Sequence, residues 1–254
     1  MKAIIYFLIL IFNINNLNAR NIGETEITAE DGIEVFQDEK YYLLKKNVNI
    51  ESDNFTLKGD EIKIFYEVDL YDVKIIDAKG DIKLYSPEYN LEASGKKLKF
   101  IVDEEKILVK GINSRLKIKS TDMQSDGIIE VDNTSGNFYL SGPNSEMKAE
   151  SIKIKANDIS GVFSSNKKVN EIILLYVSDD NIAYVNTNNI EMYAKNINYS
   201  KENSIIELEN NVKIISEGEE ITGDYGTLNT KTNSYKIKSN ESKKVKVIIS
   251  NNNE

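Results

Sequence analysis

The sequence predicts an all-β protein, and three observations support this class. From Ile27 onward, apolar and charged residues alternate in short runs, and clusters of turn-forming residues separate these runs. One motif also occurs near the start and again near the end with the same internal spacing. No sustained apolar stripe at helical spacing follows the first twenty residues, so we expect strands of about five to eight residues in an antiparallel or coiling arrangement.

The first residues have the layout of a secretory signal peptide. Met1 and Lys2 give a positive start, Ala3 to Phe12 is apolar, and a small residue, Ala19, precedes Arg20. Ten apolar residues make about 15 Å of helix, roughly half the hydrocarbon core of a bilayer. We therefore expect residues 1–19 to be a cleavable signal peptide and 20–254 to be exported, the alternative being an uncleaved membrane anchor.

Apolar–Lys–apolar triplets are the commonest strand signal. Strict alternation places the two apolar side chains on one face of a strand and the lysine on the other, solvated face. Exposed lysines also protect sheet edges against aggregation. The triplets are centred on Lys63, Lys74, Lys83, Lys99, Lys117, Lys153, Lys213, Lys236 and Lys246.

Turn signals follow at short intervals throughout the chain. They include Ser52 to Asn54, Asp126-Gly127 and Ser178 to Asn181. No segment rich in Pro or Gly divides the body, so residues 20–254 are expected to form one continuous domain.

The repeated motif has the form Leu-x-x-Asn-Val-x-Ile, then an apolar residue, one residue of any type, and Gly-Asp. In both copies the aspartate follows the asparagine by thirteen positions, a coincidence that indicates a repeat architecture. The two copies are Leu44 to Ile50 with Leu57 to Asp60, and Leu208 to Ile214 with Ile221 to Asp224.

Looser versions of the motif lie between these copies. Met147 to Ile154 matches Leu57 to Ile64 position for position, which predicts equivalent local structure. Between Ser160 and Asn189 the motif cannot be aligned, and no strand register is predicted there.

Composition narrows the possible functions. The 254 residues carry a formal net charge of −9 without a basic block, which disfavours nucleic-acid binding. Cys and His are both absent, which excludes disulfides, thiolate metal sites, Cys nucleophiles and His general bases. Acidic runs such as Asp103 to Glu105 have the character of solvated turns and lack the spacing of calcium loops. We therefore expect no catalytic residues, no metal and no cofactor.

The motif resembles the OstA-like family of lipopolysaccharide-transport proteins, nearest to its periplasmic bridge members of the LptA type. The residues that carry the resemblance are Asn-Val-x-Ile and the apolar-x-Gly-Asp element in both copies, within a stretch from about 27 to 240. The family's usual glycine before Asn-Val is replaced by Lys46 and Asn210.

This resemblance implies a folded-over, partly open β-jellyroll of two facing antiparallel sheets built from repeated strand pairs. It implies a periplasmic protein that carries lipopolysaccharide from the inner to the outer membrane, with the lipid A acyl chains shielded in an apolar groove. Other transport components at both membranes would dock by edge-strand pairing, and head-to-tail self-association would extend the groove.

Alternation gives candidates for the side chains that face the lumen and contact lipid. They are Val48, Ile50, Leu57, Ile62, Ile64, Ile82, Leu84, Leu98, Phe100, Leu116, Ile118, Ile152, Ile154, Val212, Ile214 and Ile221. The resemblance assigns turn-shaping roles to Asn47, Gly59, Asp60, Asn211, Gly223 and Asp224. The exposed edges expected are Glu26 to Val35 and a C-terminal edge with Val245, Val247 and Ile249 as docking residues.

Three alternatives stay open at the level of sequence. The apolar face fits a closed sandwich core as well as a lipid groove, because periodicity does not report how far two sheets splay. The chain also fits a membrane-anchored LptC-type partner of the same pathway, or a structural or adhesive exported β-solenoid.

Overall fold

A computed structural model describes residues 22–68, 72–149, 151–165, 170–240 and 244–249. These residues form strands and turns without a helix, which confirms the predicted all-β class. The expected signal peptide, residues 1–19, lies outside the described residues.

Long strands at both ends of the chain enclose a central group of short strands. The long strands are β3 (Tyr41–Glu51), β4 (Thr56–Tyr66), β5 (Val73–Ser86), β6 (Leu91–Ile101), β15 (Asn170–Thr187), β16 (Ile190–Ser200), β17 (Ile205–Ser216) and β18 (Glu219–Asn229). The short central strands are β7 (Lys106–Lys110), β8 (Ser114–Ile118), β9 (Thr121–Ser125), β10 (Ile128–Asp132), β11 (Asn137–Ser141), β12 (Glu146–Ala149), β13 (Ile152–Lys155) and β14 (Asp158–Ser165). Four further strands lie at the ends of the chain: β1 (Glu26–Thr28), β2 (Ile33–Phe36), β19 (Ser234–Lys238) and β20 (Lys246–Ile249).

The pairing of these strands shows one sheet folded along its middle. All pairings are antiparallel, and β6 pairs with β7 through one half of its length and with β8 through the other. From there the sheet divides into β7–β10–β11–β14 and β8–β9–β12–β13, and both branches rejoin on β15. We call the half that contains β7 and β14 the first half-sheet and the half that contains β8 and β13 the second half-sheet.

The long strands cross between the half-sheets at bends. The register shifts within β3 between Lys45 and Val48, and within β17 between Glu209 and Val212. In the short-strand region the same line is occupied by the breaks between β7 and β8, β9 and β10, β11 and β12, and β13 and β14. This line of bends, the hinge side, joins the half-sheets along one flank of the fold.

The inner faces of the two half-sheets form one apolar core. It runs from β3 to β18 and includes fully buried residues of the first half-sheet, such as Ile62 and Ile129, and of the second, such as Leu57 and Leu116. The lysine between two inward residues lies on the outer face, as Lys117 does between Leu116 and Ile118. The expected arrangement of two facing antiparallel sheets is thus confirmed.

Two sequence predictions about strand register are wrong. Met147 to Ile154 is not one strand like Leu57 to Ile64, because β12 ends at Ala149 and β13 begins at Ile152 as its hairpin partner. In the Val73-Lys74-Ile75 triplet the two apolar residues do not share a face. A register shift between β4 and β5 at Phe65 and Tyr66 pairs Ile75 with Phe65 on the outer face.

Candidate functional site

The candidate lumen-facing residues lie on the inner faces of the half-sheets. Thirteen of the sixteen are buried, and Phe100, Ile152 and Ile221 are half-buried. All thirteen buried candidates come from alternating triplets or from the two motif copies, which explains why sequence periodicity found them. In the structure their side chains pack against each other, so the interior is a filled core and not an empty channel.

Several inward residues of the central strands were missed by sequence reasoning. Met123, Ile129, Leu140 and Met147 are all fully buried in the same core. Their signal was present in alternating runs such as Phe138-Tyr139-Leu140, in which a tyrosine takes the place that lysine has elsewhere. Within the stretch left without a register, Ile172, Leu175 and Val177 are also buried.

The asparagines of the repeated motif lie in the bends of the long strands. Asn47 and Asn211 have φ angles of +49° and +60°, and the residues before them, Lys46 and Asn210, are also in the left-handed region. Two consecutive left-handed residues coincide with the register shift of each strand, and Asn tolerates this conformation better than most residues. The structure therefore places these asparagines in bends within β3 and β17, on the hinge side.

The spacing shared by the two motif copies follows from hairpin register. Val48 lies opposite Gly59 in the β3–β4 pair, and Val212 lies opposite Gly223 in the β17–β18 pair. Gly59, Asp60, Gly223 and Asp224 are accordingly inside β4 and β18 where the partner strand bends.

Aspartates on the hinge side hold adjacent bends together. The carboxylate of Asp126 accepts hydrogen bonds from the backbone N–H of Asn113, at 2.8 Å, and from the side-chain amide of Asn144, at 2.6 Å. These two bonds hold the pKa of Asp126 below its ordinary value.

The same arrangement recurs along the hinge side. Asp224 accepts from the backbone N–H of Asn240 and Asp179 from that of Asn157, each at 2.9 Å. Successive strands are thus tied to one another at the line where the sheet folds.

The opposite flank of the fold, which we call the mouth, has no continuous strands across it. The turns of the first half-sheet, including residues 201–204 and 230–233, form one lip, and the turns of the second, including 188–189 and 217–218, form the other. A cavity of about 180 Å³ lies between the lips and is lined from both half-sheets. Its lining includes Ile152 and Thr187 of the second half-sheet and Ile172, Tyr199 and Ile206 of the first.

Side-chain contacts bridge the lips. The amide Nδ2 of Asn188 lies 3.3 Å from Oδ1 of Asn233, and the hydroxyl of Tyr235 lies 3.4 Å from Oε2 of Glu219. These contacts have long, weak geometry compared with the backbone ladders on the hinge side. The described contacts that bridge the lips are thus between side chains, whereas continuous backbone joins the half-sheets on the hinge side.

Both ends of the folded sheet expose apolar residues. At one end, within the described residues, β1 and β2 each pair only with β3, and Ile33 and Val35 are exposed. At the other end, among the strands that the structure describes, β19 and β20 each pair only with β18. The residues Val245, Val247 and Ile249 are exposed there, Ile249 by 68%. The expected edges thus coincide with end strands, and β19 is a further edge that sequence reasoning did not select.

The described residues offer little for catalysis or metal binding. No group of three or more His, Cys, Asp or Glu residues among them is arranged to hold a metal ion. The acidic run at Asp103 lies in a turn of the first lip, and Asp103 pairs with Lys74 at 3.3 Å. In the part of the chain that the structure covers, no helix is long and apolar enough to cross a membrane.

Comparison with known proteins gives one family match. Residues 117–234, from β8 to the first residue of β19, match the family described as LptA/(LptD N-terminal domain) LPS transport protein. No curated protein matches the sequence. Among solved structures, a similar chain is LptH from Pseudomonas aeruginosa, the LptA homologous periplasmic component of a lipopolysaccharide transport device. The identity is 9%, the match covers 90% of this chain and 96% of that chain, and the TM-score is 0.23.

Proposed function

Because residues 117–234 match the LptA-type family of lipopolysaccharide-transport proteins, we propose that this protein carries lipopolysaccharide through the periplasm from the inner to the outer membrane. In this proposal the acyl chains of lipid A lie between the two half-sheets, and the sugars stay outside the mouth. The observation that supports it best is a single apolar interior, continuous from β3 to β18 and joined by bends on one flank only.

The energetics explain why such a carrier needs no catalytic group. Exposing an acyl chain to water costs about 0.8 kcal/mol per CH₂, so a twelve-carbon chain carries an upper bound of about 10 kcal/mol. An apolar interior removes most of that cost for each chain it covers. The outward lysines and carboxylates meanwhile keep the carrier itself in water.

Lipid entry requires the half-sheets to move apart. The cavity at the mouth, about 180 Å³, is below the 300–1,000 Å³ typical of pockets that enclose drug-sized ligands. Opening the mouth breaks the side-chain contacts of Asn188 and Tyr235, whereas the backbone pairing at the hinge side is retained. The acyl chains then replace the side-chain contacts that the opening removes.

The end strands of the sheet are where we expect this protein to contact other molecules of the transport path. End strands present unpaired backbone N–H and C=O groups, and β-augmentation by another strand satisfies them. Pairing an end formed by β1 and β2 with an end formed by β19 and β20 would also cover Ile33, Val35, Val247 and Ile249. Head-to-tail association of copies, or docking on transport components at the two membranes, would therefore extend the apolar interior.

A disulfide lock across the mouth tests this mechanism. The chain has no cysteine, so the double variant Asn188→Cys with Asn233→Cys introduces one bridge between the lips. The control, Arg115→Cys with Gln124→Cys, places a disulfide between directly paired residues of β8 and β9, next to the hinge side and away from the mouth.

The readout is binding of a fluorescent fatty-acyl probe and of lipid A by delipidated protein. We expect the oxidised mouth variant to lose binding, to regain it on reduction, and the hinge-side variant to bind in both states. Full binding by a protein with a verified mouth disulfide would contradict entry through the mouth. Absence of binding by the unmodified protein would contradict the transport proposal and favour a structural solenoid.

A further inference from the structure

The outer face of the first half-sheet has a different side-chain composition from β10 to β18 than it has from β3 to β7. From β3 to β7 this face carries lysines on every strand, including Lys45, Lys63, Lys79, Lys99 and Lys106. From β10 to β18 the outward positions of the described strands carry no Lys or Arg. Hydroxyl, amide, carboxylate and apolar side chains stand there instead. Alternation with lysine is the rule of this chain, so its interruption over seven neighbouring strands marks a distinct surface.

A shallow cavity lies in the middle of this face. It has a volume of about 320 Å³ and is lined mainly by polar side chains, among them Asp158, Ser160, Tyr176, Ser178, Asn196 and Asn198. Because it lies on the outer face, it is separated from the apolar core by the sheet itself.

One exposed tyrosine, Tyr176, lines the cavity, and a second, Tyr139, lies two strands away on the same face. Tyr139 of β11 and Tyr176 of β15 both pair with Ser160 of the intervening strand β14, one from each side. Two strand spacings separate them, about 9–10 Å, comparable to the length of a disaccharide. Their side chains are exposed by 40% and 52%, so ring surface is available to a ligand.

Hydrogen bonds orient the polar groups in the row of the sheet next to the tyrosines. Asp158 accepts from the hydroxyl of Ser141, at 2.7 Å, and from that of Tyr139, at 3.3 Å. The hydroxyl of Ser178 donates to Oδ1 of Asn196, at 3.1 Å. The amides of Asn196 and Asn198 and the carboxylate of Asp158 offer paired donors and acceptors in fixed planes.

We propose that this face, centred on Tyr139, Ser160 and Tyr176, binds a chain of neutral pyranose sugars. A pyranose ring has an apolar C–H face that packs on an aromatic ring, and its vicinal hydroxyls match planar amides and carboxylates. Asp158 and Glu209 are the charged groups of the cavity lining, which contains no Lys or Arg to bind an anion. Phosphorylated sugars and nucleic acids are therefore disfavoured on this face.

This sugar site is independent of acyl-chain transport, because it lies on the other side of the sheet from the apolar interior. The same chemistry fits a free glycan and the neutral sugars of a glycolipid. Soluble, lipid-free oligosaccharides distinguish these sources from binding driven by acyl chains, since they contain no apolar tail.

The test is calorimetric titration of the delipidated full chain with three lipid-free probes, maltohexaose, cellohexaose and chitohexaose. We expect saturable binding of at least one, weakened at least tenfold by Tyr176→Ala and largely kept by Tyr176→Phe, which retains the ring. The control is Tyr85→Ala on the second half-sheet, where the tyrosine is also 52% exposed and the variant is expected to bind normally.

Three results would overturn the site: no saturable binding of any probe, equal losses in the Tyr176→Ala and Tyr85→Ala variants, or stronger binding of a phosphorylated hexose than of the neutral probes. Each of these leaves acyl-probe binding unaffected, so failure of the sugar site and failure of the transport proposal are distinguishable.

Discussion

A β-carbon added to Gly223 would lie 2.7 Å from the carbonyl oxygen of Lys238 and still closer to Cγ2 of Ile237. At Gly59, the equivalent position of the first motif copy, the nearest atom is the carbonyl oxygen of Lys79 at 3.3 Å. The two copies share a sequence pattern and a hairpin register, yet the neighbours are packed much more closely on Gly223 than on Gly59.

Alanine substitution at these glycines is therefore expected to give different results. Gly223→Ala should lower the free energy of unfolding by about 1–3 kcal/mol, because backbone or Ile237 must shift to admit the methyl group. Gly59→Ala should change it by less than about 1 kcal/mol, since reduced entropy of the unfolded chain offsets a mild contact. Urea unfolding of both variants measures this difference, and equal losses would contradict the packing at Gly223.

Truncation of a core residue tests the inward assignment. Leu116 is fully buried in β8, and Leu116→Ala should cost about 2–5 kcal/mol through lost burial and the cavity left behind. Its neighbour Lys117 points outward, and Lys117→Ala should change stability by within about 0.5 kcal/mol. A comparable loss in both variants, measured by urea unfolding, would contradict the alternation of inward and outward residues.

The position of Leu116 shows how far sequence reasoning reaches in this fold. Alternation with lysine identified Leu116 and Ile118 as inward residues because the period of a strand is a local property. The bends within long strands could not be predicted in this way. Gly59-Asp60 and Ser178 to Asn181 have the composition of turns, but they lie inside long strands. Whether such residues end a strand or bend it depends on the partner strand, which local composition does not report.

The dependence on partner strands also explains the remaining differences between the sequence predictions and the structure. The Val73-Lys74-Ile75 triplet predicted that Val73 and Ile75 share a face, but a bulge at Lys74 within β5 places them on opposite faces. The close packing of the two half-sheets and the cavity at the mouth arise from contacts between residues far apart in sequence, such as Ile152 and Ile206. The sugar site was missed because its signal is an absence of lysine over seven strands, visible only once the strands are laid side by side.

Acid sensitivity is expected at the hinge side. Hydrogen bonds lower the pKa of Asp126 in the folded protein, so its contribution to stability is present above its unfolded pKa, about 3.9. That contribution is lost as the pH falls through the lower folded pKa. In Asp126→Asn, stability should decline less steeply below about pH 4 than in the unmodified protein.

Thermal unfolding between pH 6 and pH 3 provides the measurement. Asp122→Asn is the control, because Asp122 is exposed on the outer face of β9. Parallel pH profiles for the unmodified protein and Asp126→Asn would show that Asp126 does not link the bends.

Removal of the C-terminal edge should affect association more than folding. Residues 245–249 are exposed, so deleting 245–254 removes little buried surface, and the melting temperature should change only slightly. Self-association and crosslinking to partner components should fall, because the deletion removes β20 and its exposed apolar residues. Deletion of 250–254 alone is the control, and unchanged crosslinking after the longer deletion would contradict edge docking.

Site-specific photo-crosslinking tests the central claim, that acyl chains lie between the half-sheets, most directly. A photo-reactive amino acid is placed at the inward positions Ile64 and Ile118 and, as matched controls, at the adjacent outward positions Lys63 and Lys117. The account predicts crosslinks to lipid A or to an acyl probe at Ile64 and Ile118 and background levels at the two lysine positions. Equal labelling at inward and outward positions, or no labelling at Ile64 and Ile118 in protein that binds the probe, would contradict it.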